Sequence, residues 1–115
     1  MGLFTQYDET KTTAIKLLDA NDHGSNVWVA FQVSYKDGTK KVVRSHVKDL
    51  GRYYYLNGKP KPIKKAEHLG TAYCGWLKSD GRTLFIVTLA DDTVQLIQVK
   101  EGSREYLKLL ELSDN

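Results

Sequence analysis

The chain has 115 residues, 41% of them hydrophobic, with 17 Lys+Arg against 14 Asp+Glu for a net charge of +3, which fits one folded domain over residues 1–115. No apolar stretch approaches the ~20 residues of a membrane-spanning helix, and the first residues show no basic-then-apolar leader. A single cysteine, Cys74, excludes an internal disulfide framework. The expectation is a cytoplasmic protein with no membrane partner.

The total charge conceals an asymmetry. From Thr39 to Lys65, nine basic residues stand against Asp49 alone, so these 27 residues carry +8 and the remainder of the chain −5. A cationic middle with mildly acidic ends attracts anionic partners, chiefly nucleic acid or an acidic protein surface. An ordinary solvated lysine-rich face is the plainer reading of the same charges.

In chain order, Thr12 to Asp19 reads as a first strand, although Ala14-Ile15-Lys16-Leu17-Leu18 also suits a helix. Val27, Val29, Phe31, Val33 and Tyr35 then alternate with Trp28, Ala30, Gln32 and Ser34, the pattern of a half-buried strand. A two-residue turn at Asp37-Gly38 would set Phe31 opposite Arg44. A three-residue loop, Lys36-Asp37-Gly38 with Gly38 left-handed, sets Phe31 opposite Val43 and Val29 opposite Ser45 instead. The bulged loop is the better match. It puts Lys40, Val42, Arg44 and His46 on the face shared by Trp28 and Ala30.

Asn57-Gly58 is the strongest two-residue turn signal. It opposes Tyr55 to Pro60 and Tyr53 to Pro62, so Lys59 to Ile63 is expected at a sheet edge or outside the sheet. Lys64 to Leu69 reads as a helical turn or loop. Ala72 to Leu77 and Thr83 to Ala90 form a strand pair around Asp80-Gly81, followed by Thr93 to Val99 beyond an Asp91-Asp92 turn. Leu84-Phe85-Ile86-Val87 is apolar at every position, as in a central strand buried on both faces. Ser103 reads as an N-cap, with Glu105 in the first turn, opening a helix from Arg104 to Leu112, although an alternating last strand also fits these residues. No repeat at a fixed period is evident. The fold class is mainly β: a small antiparallel barrel or strongly curled meander of about six to eight short strands, with a C-terminal helix.

Chemistry is sparse. Cys74 has no family signature around it, and only His23, His46 and His68 are available to activate it, so an enzyme is not expected. Asp19, Asn21 and Gly24 imitate the first half of a calcium loop, but position twelve is Ala30 and a strand follows. A polar turn is the better description. Neither dinucleotide nor P-loop glycine patterns occur, and no metal or cofactor is expected. Nucleic-acid binding needs cations that follow phosphates and flat side chains on which unpaired bases stack. Lys40, Arg44, Lys48, Arg52, Tyr54, Lys59, Lys61, Lys64 and Lys65 supply both. With no helix-turn-helix or long basic helix, RNA or single-stranded DNA is favoured over duplex. The rival is a small accessory protein that binds an acidic protein surface or a partner's sheet edge through the same lysines.

Overall fold

The computed structural model describes residues 7–21, 28–52, 62–70 and 82–113. Its first unit is a meander: β1 (Thr12–Asn21), β2 (Trp28–Tyr35) and β3 (Lys40–His46), followed by a 3-10 turn at Val47–Asp49. The second contains β4 (Gly51–Arg52), β5 (Ile63–Gly70), β6 (Arg82–Leu89), β7 (Val94–Lys100) and the helix α1 (Arg104–Ser113). The strands form a three-stranded sheet in the order β1-β2-β3 and a four-stranded sheet in the order β4-β7-β6-β5. All pairings are antiparallel except the two-residue contact of β4 with β7. Among the described residues no ladder joins the two sheets, so they stand as separate layers and the expected barrel closure is not part of the architecture.

The bulged hairpin accounts for the first sheet. Tyr35 N–H donates to Thr39 O at 2.8 Å and Gly38 N–H to Tyr35 O at 3.0 Å, with Gly38 at φ 89°. Phe31 consequently pairs with Val43 and Val29 with Ser45, as the alternation requires. The Asp91-Asp92 turn has the same build: Leu89 N–H donates to Thr93 O at 2.8 Å, and Asp92 takes the left-handed position at φ 70°. In both loops an aspartate ties down the threonine two residues on. Asp37 Oδ1 accepts from Thr39 N–H (2.9 Å) and Oγ1–H (2.6 Å), and Asp91 Oδ1 from Thr93 N–H (3.0 Å) and Oγ1–H (2.5 Å).

The molecule is built in three layers. Val29, Phe31, Val33 and Val43 of the first sheet close against Leu84, Ile86 and Leu96 of the second, joined by Tyr7, Val47 and Leu50. The other face of the second sheet, with Ala66, Phe85, Val87, Leu89, Ile97 and Val99, receives Tyr106, Leu109, Leu110 and Leu112 of α1. Two covered faces are why Leu84 to Val87 is apolar throughout. Ser103 Oγ accepts from Tyr106 N–H at 3.2 Å, the N-cap of α1.

One expectation is corrected. Lys64 to Leu69 is neither a helical turn nor a loop but most of β5. The register slips between Ile63 and Lys65 and again between His68 and Gly70, and these bulges break the period-two pattern that marks a strand. The described neighbours of β6 are β5 and β7; the expected strand Ala72 to Leu77 lies outside the described residues.

Candidate nucleic-acid interface

The outward face of the first sheet is the assembly of interest. Its positions follow from the ladders: Ala14, Lys16 and Asp19 from β1; Trp28, Ala30, Gln32 and Ser34 from β2; Lys40, Val42, Arg44 and His46 from β3. Lys16 stands opposite Gln32, which stands opposite Val42; Asp19 stands opposite Ala30, which stands opposite Arg44. The Arg44 guanidinium lies 4.8 Å from the centre of the Trp28 ring, a cation–π arrangement that holds a planar cation on an aromatic face. Val42 is 58% exposed, and Lys16, Lys40, Arg44 and His46 are exposed around it. No ion pair among the described residues engages Lys16, Lys40 or Arg44. Asp19 is the acid on this face, and its Oδ1 already accepts from Ala20 N–H at 2.8 Å.

The expected binding residues divide among several places. Lys40 and Arg44 share the outward face of β3. Lys48 belongs to the 3-10 turn and Arg52 to β4, both placed by their backbone. Lys64 and Lys65 sit side by side on β5, the edge strand of the other sheet, and Lys64 Nζ is paired with Asp92 Oδ1. Tyr54, Lys59 and Lys61, with the Asn57-Gly58 turn, lie outside the described residues. Trp28, Gln32 and Lys16 were not among the expected binding residues. The hairpin register put Trp28 on the face of Lys40, Val42, Arg44 and His46 from the sequence, but Lys16 needed the β1 pairing, which two irregularities in β1 obscure.

Other polar groups have structural employment. Asp8 Oδ1 accepts from Thr10 N–H (3.0 Å) and Oγ1–H (2.6 Å). The threonine hydroxyl and then its amide hold the Asp8 carboxyl below the usual carboxylate range, and Thr39 does the same for Asp37. An open groove of about 560 Å³ runs between these two turns, lined by Asp8, Lys11, Tyr35, Lys36, Asp37 and Thr39. Its two acids and two lysines give a polyanion no net attraction. His68 Nε2 lies 2.9 Å from Thr83 Oγ1, and its ring stacks on Phe85 with centroids 4.6 Å apart. Burial pushes the Tyr7 phenol far above its ordinary range, and its oxygen accepts from Leu96 N–H at 3.3 Å. Among the described residues no three His, Cys, Asp or Glu side chains are grouped to hold a metal. None of the helices among them is long and apolar enough to cross a membrane. Compared with known proteins, the chain matches no family model, no curated protein and no solved structure.

Proposed function

We propose that this protein is a non-enzymatic binder of single-stranded nucleic acid, RNA or DNA, and that the strand runs across the outward face of the first sheet. The observation that carries this reading is Arg44 seated 4.8 Å over Trp28 on a face that also presents Lys16 and Lys40. A single strand needs this combination: cations for phosphates, and a flat ring or guanidinium on which a base stacks. The Gln32 amide between them offers both a donor and an acceptor to a base edge. A duplex keeps its bases stacked inside and cannot use Trp28. Lys65 adds a cation on the edge of the other sheet, and Tyr54, Lys59 and Lys61 are kept as proposed contacts on the strength of the sequence alone.

Titration of Trp fluorescence with matched oligonucleotides of RNA, single-stranded DNA and duplex DNA, each at two salt concentrations, tests the proposal. Tighter binding of single strands, weakening with salt, supports it. Equal affinity for duplex, or no binding to any of them, contradicts it. In the latter case an acidic protein surface becomes the reading of the same cations.

A further inference from the structure

We infer that the two halves of the chain are copies of one β-meander unit, and that the outward face of the first copy is the counterpart of a face buried in the second. The seven pairs of the β2–β3 ladder run from Ser34↔Lys40 to Trp28↔His46. Adding 54 to each number (34 to 88, 40 to 94, 28 to 82, 46 to 100) reproduces the β6–β7 ladder from Thr88↔Val94 to Arg82↔Lys100, pair for pair.

The first strands agree as closely. In β1 the register slips between Thr12 and Ala14 and between Leu17 and Asp19. In β5 it slips between Ile63 and Lys65 and between His68 and Gly70, each position 51 residues later (12 to 63, 14 to 65, 17 to 68, 19 to 70). Both hairpins close through the same Asp-x-Thr loop, with Gly38 in one and Asp92 in the other at positive φ. Three-stranded meanders are common, so shared topology says little. Two coincident slips, a coincident loop and seven coincident pairs say more. Few side chains betray the relation: Phe31 and Phe85, Val33 and Val87, Asp37 and Asp91, Thr39 and Thr93 are identical. The change of offset from 51 to 54 removes any fixed period.

The copies use one face in opposite ways. In the second copy Leu84, Ile86 and Leu96 pack against the first sheet. Gln98 beside them is buried, its Nε2 donating to Val47 O at 2.8 Å. The equivalent positions of the first copy hold Ala30, Gln32, Val42 and Arg44; among the described residues no third sheet covers them, and Val42 and Arg44 are exposed although Ala30 is buried. Isoleucine to glutamine and glutamine to arginine, with Val42 58% exposed where the second copy buries Leu96, turn a packing surface into one that faces water. The second copy is thus the scaffold and the first carries the accessible face. This holds whether or not nucleic acid is what binds there.

Matched substitutions test the division. Gln32→Lys and Val42→Glu should melt within a few degrees of the parent, whereas their counterparts Ile86→Lys and Leu96→Glu should abolish cooperative unfolding. Equal damage from both members of a pair, or tolerance of both, overturns it. The duplication itself is read by NMR on the unmodified protein. Because Tyr35 and Thr39 form a hydrogen-bonded pair, Hα–Hα contacts fall at Gln32/Val42 and Ala30/Arg44. The same contacts are expected at Ile86/Leu96 and Leu84/Gln98. A displacement of one residue in either half would overturn the correspondence.

Discussion

Gly38 and Asp92 solve one backbone problem with two residue types. Both occupy the left-handed position that closes a three-residue loop, a conformation costing an ordinary L-residue roughly 1–2 kcal/mol. A Cβ built on Gly38 meets nothing within 4 Å, so the cost of a side chain there is backbone strain and not crowding. Gly38→Ala should therefore destabilise by about 1 kcal/mol in denaturant melts, and Gly38→Asp by less, because aspartate tolerates this region. Equal losses would refute the loop equivalence.

Asp8 and Asp37, each bonded to the threonine two residues on, carry a pH signature. Thr10 and Thr39 hydrogen bonds lower the folded-state values of Asp8 and Asp37. A depressed folded value means the stabilisation is present above the ordinary carboxylate range and is lost as pH falls through the folded value. Melting temperature should thus decline on acidification below about pH 4, and Asp8→Asn with Asp37→Asn should make that decline shallower. An unchanged profile would mean the bonds do not form in solution.

At the scale of elements, packing rather than local preference decides the outcome, and β5 shows why part of the fold was hidden. Ile63 and Ala66 face α1 and its cluster, but the slip after Ile63 leaves both Lys64 and Lys65 exposed, so period-two alternation disappears. β1 was ambiguous for a related reason: the slip after Leu17 makes adjacent Leu17 and Leu18 resemble a helical spacing. Where no slip intervenes, as in β2 and β3, residue patterns were enough to derive the register and the face shared by Trp28 and Arg44. The cap at Ser103 and the doubly buried β6 were equally legible. Layer stacking was not, because nothing in a strand's own pattern says which sheet will cover it. Phe85, fully buried between the second sheet and α1, should cost ~3–5 kcal/mol when cut to alanine. Ser103→Ala should cost only ~1 kcal/mol. A reversed order in thermal or denaturant melts would contradict this account of how the helix is held.

For the whole molecule, a helix, a doubly covered sheet and a sheet with one open face leave a single broad surface of the described strands for a partner. Among the described residues, the cations of the middle segment fall on both sheets. Lys40 and Arg44 join Lys16 and Trp28 on the first sheet, whereas Lys64 and Lys65 lie on the edge of the second. The measurement that bears most directly on the proposed function is the affinity of single-stranded RNA for the parent, Trp28→Ala, and the Lys40→Gln/Arg44→Gln pair, each across a range of salt. Loss of the stacking ring should weaken binding by about 1–3 kcal/mol with the salt slope retained. Loss of the two charges should make the slope of log affinity against log salt shallower by about 1.4. Folded variants that bind as tightly and with the same slope as the parent would contradict the assignment of this face.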